Sequence, residues 1–160
     1  MSTRSILGSI SNEKGKKWEG VYCHWDGYPT NRGSQIWDIL HKQFINNEGD
    51  IGVQNTSNIT GKINAFLKIY VDGHKGGWSS FPDQCYCHDP SFVMRDGVHE
   101  NLINDKGAKD SWCEYAYILD PEKATMTIYC SYKSWTKPIA VVDLLGKEPD
   151  WKKIEDSTND

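Results

Sequence analysis

The chain has 160 residues, with 18 Lys and Arg against 22 Asp and Glu, and a formal net charge of −4. This balance argues against a sequence-independent grip on nucleic acid, which needs clustered basic residues at the phosphate backbone, and no window has the roughly 20 apolar residues of a membrane span. Seven Trp, eight Tyr and four Phe compensate for a modest hydrophobic content of 38%, so one domain with an aromatic core is expected over residues 1–154.

The first two predicted strands, residues 4–10 and a run that ends near Trp25, form an antiparallel hairpin. Strand alternation places Cys23 on one face and His24 with Asp26 on the other. Cys23 is therefore expected in the core rather than beside His24 as a nucleophile. The hairpin also carries Arg4 towards Asp26, where the two side chains could pair.

A corner follows the second strand, because Asp26, Gly27 and Pro29 are turn-forming residues. Beyond the corner, apolar residues at helical spacing predict one main helix over about residues 32–46. The polar run that follows is compatible with a loop or a second weak helix, and the apolar run 64–71 predicts a strand.

The C-terminal half is dominated by a predicted hairpin, in which the alternating runs 114–119 and 125–132 flank a turn signature. Residues 139–145 predict a further strand or a short helix, a last helical turn is expected around 151–154, and residues 155–160 are expected to fray. The sum is an α+β domain in which one main helix packs across an antiparallel sheet.

Two segments concentrate the side chains suited to a binding site. At the corner, a histidine, a carboxylate and basic groups could recognise an anion or perform acid–base work, beside the free backbone amides of the helix start. A glycine-rich segment farther along offers a cation beside an aromatic ring and could close over the corner. The corner candidates are Arg4, His24, Asp26, Tyr28 and Arg32, and the glycine-rich candidates are His74, Lys75 and Trp78.

The corner also has a purely structural interpretation. Arg4 and Asp26 would form a partly buried pair, and His24 would donate to a turn carbonyl. Removal of the Asp26 carboxylate would then cost about 1–3 kcal/mol of stability. The sequence leaves both interpretations open, and catalysis by His24 and Asp26, as in a small hydrolase or transferase, stands as the alternative to binding.

The five cysteines raise the question of a metal site. Cys85, Cys87 and His88 form a cluster of suitable ligands, but structural zinc sites usually combine two closely spaced pairs, and the chain has no second pair. The other interpretation is a loop whose thiols point alternately inward and outward. No metal is expected, and no cofactor, since dinucleotide and Walker fingerprints are missing.

The opening Thr3-Arg4-Ser5 and the segment 22–29, Tyr-Cys-His-Trp-Asp-Gly-Tyr-Pro, resemble a group of small bacteriophage and prophage proteins, and so does the later strand at 114–117. The resemblance implies a viral origin and no particular reaction. No catalytic constellation is complete, and the aromatic richness suits a binding surface. We therefore expect a phage-encoded accessory protein, in the cytoplasm of the host bacterium, that binds a host or defence protein or a small anionic molecule.

Overall fold

The computed structural model describes residues 3–12, 14–15, 17–46, 58–85 and 102–159. In this part of the chain eight strands form one sheet, accompanied by three α-helices. The strands are β1 (Ser5–Ile10), β2 (Trp18–Cys23), β3 (Trp78–Ser80), β4 (Gln84–Cys85), β5 (Ile103–Asn104), β6 (Tyr115–Asp120), β7 (Thr125–Cys130) and β8 (Ala140–Asp143). The helices are α1 (Ser34–Leu40), α2 (Ile59–Tyr70) and α3 (Trp151–Asp156).

The sheet is mixed, with the order β4-β3-β2-β1-β6-β7-β8, and β5 pairs with β2. Both predicted hairpins, β1–β2 and β6–β7, are confirmed as antiparallel pairs. However, β1 joins β6 in parallel, with Ser5 opposite Tyr115, and β2 joins β3 in parallel. The expectation of an antiparallel sheet is therefore wrong where the hairpins meet. Alternation within a hairpin predicts that hairpin, whereas the contact between hairpins joins residues far apart in the chain.

The helix predicted over residues 32–46 is longer than expected. It begins at Pro29 with a π-helical turn (Pro29–Gly33), continues as α1 and ends with a second π-helical turn (His41–Ile45). Pro29 at the first position suits a helix start, because the amide that proline lacks has no partner within the helix.

A second helix replaces the strand predicted over residues 64–71, and that prediction is wrong. The buried side chains Ile63, Phe66 and Leu67 follow the spacing of one helix face. Asn58 caps α2 by accepting a hydrogen bond from the Gly61 amide at 2.7 Å. The description of one main helix is corrected accordingly, since α2 and α3 also pack with the sheet.

Both faces of the sheet are covered, which explains why all six residues of β6 are buried. The helices cover one face, where strand residues such as Leu7, Val21, Cys23, Tyr117 and Leu119 join the main core. The other face carries a smaller core of Ile6, Trp18, Tyr22, Ile103, Ala108, Cys113, Ala116 and Ile118.

The C-terminal residues lie against the corner instead of fraying from residue 155. The carboxylate of Glu155 accepts hydrogen bonds from the amide and hydroxyl of Thr30 at 3.1 and 2.8 Å. The chain then continues into a 3₁₀ turn (Ser157–Asn159). Gly33 allows close packing here, since a Cβ at this position would lie 2.7 Å from the Trp151 ring. None of the described helices has the length and apolar character needed to cross a membrane.

Candidate functional site

The corner after β2 is built from unusual backbone. Trp25 and Asp26 have φ values of 62° and 48°, in the left-handed region that bulky residues rarely adopt. The next residue, Gly27, donates its amide to the Thr3 carbonyl at 2.8 Å and accepts from the Tyr117 hydroxyl at 2.6 Å. The strand alternation expected to continue to Asp26 therefore stops at Cys23. Backbone of this kind is concentrated at functional sites.

Arg32 holds the corner from inside the protein and is the most buried charged side chain of the described residues, with 1% of its surface exposed. Nη1 donates to Ser5 Oγ at 3.1 Å, Nη2 to the Trp25 carbonyl at 2.8 Å, and Nε to Gln35 Oε1 at 3.1 Å. The Phe81 ring lies 5.0 Å from the guanidinium carbon, within cation–π range. Each acceptor is neutral, so Arg32 joins the hairpin, the corner and α1 without a carboxylate among these contacts.

The side chain of His24 is held by contacts with Tyr22 and Trp25. Its Nδ1 lies 2.6 Å from the Tyr22 hydroxyl, and its ring meets Trp25 edge-on at 4.5 Å between centroids. The His24 amide donates to the Trp78 carbonyl at 2.8 Å, which ties the end of β2 to β3. The Tyr22 hydroxyl therefore occupies the position at Nδ1 that an orienting carboxylate would take if it acted through this ring nitrogen.

Asp26 does not form the buried pair that the sequence suggested. Its side chain is exposed, and its backbone carbonyl accepts from Asn31 Nδ2 at 2.7 Å. Between the described side chains Arg4 and Asp26 no ion pair forms, and Arg4 lies just before β1, where its carbonyl accepts from the Glu114 amide at 2.8 Å. The physical reason is the left-handed backbone at Trp25 and Asp26, which follows the end of β2 at Cys23 and breaks the strand alternation that would have pointed Asp26 towards Arg4.

A polar pocket of about 200 Å³ opens at this corner, and we call it the corner pocket. Its lining combines three predicted residues with six that the sequence did not single out as ligand-binding. The predicted members are His24, Asp26 and Arg32, and the added members are Trp25, Asn31, Gln35, Ser80, Phe81 and Asp83. Sequence reasoning missed Ser80, Phe81 and Asp83 because they come from a distant segment that the parallel β2–β3 pairing brings alongside. A π-helical turn borders the pocket, as is common at functional sites.

The glycine-rich segment does not close over the corner as predicted. Trp78 is only 3% exposed, donates its Nε1 to the Tyr70 carbonyl at 3.0 Å, and packs in the main core. His74 lies on the Trp78 ring at 4.0 Å between centroids, and Lys75 is exposed. Trp78 is therefore structural, and its truncation would cost stability.

Tyr28 also lies outside the corner pocket's lining. Its side chain is half-buried, and its backbone carbonyl accepts from the amides of Asn31 and Arg32 at 3.0 and 2.8 Å, which starts the helix. The predicted ligand-binding role of Tyr28 is therefore not supported by its placement, and neither is that of Arg4.

Cys23, Cys113 and Cys130 are free thiols. Burial raises the pKa of Cys23 to about 11, although the neighbouring Arg32 guanidinium acts in the opposite direction. Burial also raises the pKa of Cys113 to about 12. Cys23 lies in the core, as predicted. Such thiols are poor nucleophiles and poor metal ligands near neutral pH.

Of the proposed metal ligands, Cys85 is buried in the main core, while Cys87 and His88 lie outside the described residues. Across the described ranges, no group of three or more His, Cys, Asp or Glu side chains is arranged to hold a metal ion.

Comparison with known proteins adds no assignment. No protein-family model matches the chain, and neither the curated proteins nor the solved structures contain a significant match.

Proposed function

We propose that this chain is a phage-encoded accessory protein that works inside the host bacterial cell by binding a host or defence protein. In this proposal, the corner pocket receives a basic side chain of the partner. The observation that carries the proposal is the pocket itself, which is small, polar and acidic at its rim, and lies beside an exposed tryptophan in a left-handed conformation.

The size of the corner pocket favours a protein partner over a small molecule. Small-molecule sites usually enclose about 300–1,000 Å³, whereas the corner pocket encloses about 200 Å³. That volume suits one side chain of a larger partner. The exposed Trp25, with 54% of its surface accessible, adds a residue type that often dominates protein interfaces.

The charges of the lining favour a basic side chain. Asp26 and Asp83 contribute two carboxylates, and Arg32 contributes one buried guanidinium, so these three residues carry a net formal charge of −1. A lysine or arginine from the partner would neutralise this charge, and the Trp25 ring beside the pocket offers a cation–π surface.

A small anion is the weaker candidate for the same site. The carboxylates repel it, and the Arg32 nitrogens already donate to Ser5, Trp25 and Gln35. With only 1% of its surface exposed, Arg32 also gives an incoming anion little access to its guanidinium group.

The proposal is tested by affinity capture from host cells with the wild-type chain and matched variants as bait. Asp26→Asn with Asp83→Asn removes both rim charges, and asparagine tolerates the left-handed backbone at position 26. Trp25→Asn removes the tryptophan ring, and asparagine also tolerates the left-handed backbone at position 25. Glu122→Gln, at an exposed position in the β6–β7 turn at the other end of the sheet, is the control.

We expect quantitative mass spectrometry to show host proteins that are retained by the wild type and Glu122→Gln and lost by both corner variants. Equal retention by all baits would exclude the corner pocket as the binding site. Product formation from a metabolite mixture, abolished by His24→Ala, would instead favour the enzymatic alternative.

A further inference from the structure

A second cavity lies at the turn between β7 and β8 and shares none of its described lining residues with the corner pocket. It encloses about 430 Å³, which falls within the usual range of small-molecule sites, about 300–1,000 Å³. Ser157, from the 3₁₀ turn after α3, also lines it, so two segments distant in the chain form the cavity. We call it the lysine cavity, after Lys133 and Lys137 in its lining.

The described lining of the lysine cavity is basic, although the whole chain has a net charge of −4. Lys133 and Lys137 contribute two positive charges, and no Asp or Glu is among the described lining residues. A doubly charged anion would match the two lysines, and a phosphate monoester carries about −1.5 to −2 at pH 7. Lysine binds phosphate as a point charge, so the lining favours a phosphate group over a single carboxylate.

Acidic residues near the lysine cavity determine where an anion can bind. Glu155 accepts hydrogen bonds from the corner, and Asp156 pairs at 2.8 Å with a lysine of its own helix. Partial burial, and then the Glu114 carboxylate, raise the pKa of Tyr132, so the phenol stays neutral near pH 7. A bound anion is therefore expected at the two lysines and away from Glu114, with the Tyr132 ring available to its organic part.

Backbone hydrogen bonds hold the turn that carries both lysines. The amides of Lys133 and Ser134 donate to the Cys130 carbonyl at 3.0 Å, and the Lys137 amide donates to Ser134 Oγ at 3.2 Å. The Ile139 amide then donates to a carbonyl of β7 at 2.8 Å. The backbone positions of the two lysines are thus fixed by the turn, which lowers the entropy cost of binding a ligand between them.

The rest of the lining offers contacts to the organic part of a ligand. Pro138 and Ile139 provide apolar surface, and the Tyr132 ring, with 66% of the residue's surface exposed, can stack on a planar group. Ser157 Oγ donates to the Ile154 carbonyl at 2.6 Å, so it can accept from a ligand hydroxyl or amino group. We propose that the lysine cavity binds a small phosphate monoester with an aromatic group, such as a nucleoside monophosphate.

The probes are AMP and phenyl phosphate, and their binding to the full chain is measured by isothermal titration calorimetry and by shifts of backbone amide signals in NMR spectra. Adenosine lacks the charge, and inorganic phosphate lacks the aromatic group. A blocked phosphotyrosine peptide tests whether a protein supplies the same chemistry. The variants are Lys133→Gln combined with Lys137→Gln, and Tyr132→Ala. Lys123→Gln, exposed in the β6–β7 turn at the opposite end of β7, is the control for loss of positive charge.

We expect both esters to shift amide signals within residues 132–139, and adenosine and inorganic phosphate to bind at least about fivefold more weakly. The double lysine variant should weaken ester binding at least about fivefold. Tyr132→Ala should weaken it about fivefold without affecting inorganic phosphate, and Lys123→Gln should stay within about twofold. Added salt should weaken binding, because it screens exposed lysines. Thermal unfolding of each variant shows that the fold is kept.

Full affinity in the double lysine variant, or equal binding of adenosine, would overturn the inference, and so would absence of binding by both esters at millimolar concentration. Equal binding of inorganic phosphate would overturn the aromatic part of the proposal. Tighter binding of the phosphotyrosine peptide than of phenyl phosphate would overturn the assignment of a small molecule. Asp26→Asn with Asp83→Asn should bind AMP as the wild type does, so this experiment and the capture experiment test the two sites separately.

Discussion

Replacement of Arg32 by methionine should destabilise the protein, although it removes a buried charge. Methionine keeps most of the volume of the aliphatic stem and deletes the guanidinium. The Ser5 hydroxyl, which is fully buried and accepts from Nη1 at 3.1 Å, then loses its charged donor. The cation–π contact with Phe81, at 5.0 Å, is lost as well.

The magnitude follows from these contacts. A buried acceptor deprived of a charged donor costs about 2–3 kcal/mol, and the cation–π contact contributes about 1 kcal/mol. The Trp25 carbonyl and the Gln35 amide belong to more exposed residues and can regain hydrogen bonds from water, so their loss adds little. We therefore expect Arg32→Met to lower the free energy of unfolding by about 3 kcal/mol and Tm by roughly 6–12 °C for a chain of this size.

Urea denaturation followed by tryptophan fluorescence measures the change, with an unchanged m value as the sign of an intact two-state transition. Arg32→Lys is the control, because one ammonium group cannot reach three diverging acceptors and should fall between wild type and Arg32→Met. Equal or greater stability of Arg32→Met would refute the reasoning. It would mean that the cost of desolvating the guanidinium exceeds the energy of its contacts, as happens for some buried charges.

Three further predictions concern stability. An added Cβ at Gly8 would lie 2.0 Å from the Glu19 carbonyl oxygen, so Gly8→Ala should lower the free energy of unfolding, measured by urea denaturation, by more than about 2 kcal/mol. The control Gly107→Ala, whose nearest atoms are at 4.0 Å, should change it by no more than about 0.5 kcal/mol, and similar values for both variants would contradict the close β1–β2 approach. Burial raises the pKa of Cys23 from 9.0 to about 11, so the thiol ionises at lower pH in the unfolded chain than in the folded one. The contribution of the neutral thiol to folding stability is therefore fully present below pH 9 and is lost as the pH rises towards 11. Tm of Cys23→Ala should fall less steeply than that of the wild type over this range, and parallel slopes would show that Cys23 is not the cause of the decline. The His41 ring nitrogens lie 2.8 Å from the backbone carbonyls of Trp37 and of Leu144, which is in the turn after β8. His41→Leu should therefore lower the free energy of unfolding by about 1–2 kcal/mol. An unchanged urea midpoint would show that this bridge contributes nothing to stability.

The sequence predicted the elements whose pattern depends on residues close together in the chain. The two hairpins followed from alternation and turn residues, and the structure has both. The same reasoning failed for residues 64–71, where a short apolar run is compatible with a strand or with the buried face of a helix. The Asn58 cap was the available signal for α2, since its side chain accepts from the Gly61 amide.

The candidate site was readable only in part. The cluster of His24, Asp26 and Arg32 was evident as one stretch of sequence, and all three line the corner pocket. The roles of these residues were not evident from the sequence, because burial of Arg32 and exposure of Asp26 depend on the left-handed turn at Trp25. A tryptophan gives no sequence signal for that conformation.

The sequence by itself determined the hairpins, the helix after the corner and the concentration of polar groups at residues 24–32, because each depends on neighbours within a few positions. The tertiary structure decided the rest. Parallel pairing of β2 with β3 placed Ser80 and Asp83 beside the corner, and parallel pairing of β1 with β6 joined the two hairpins into one sheet. These contacts join residues distant in the chain, and they form only when buried strands from separate segments share one sheet, which no local pattern encodes.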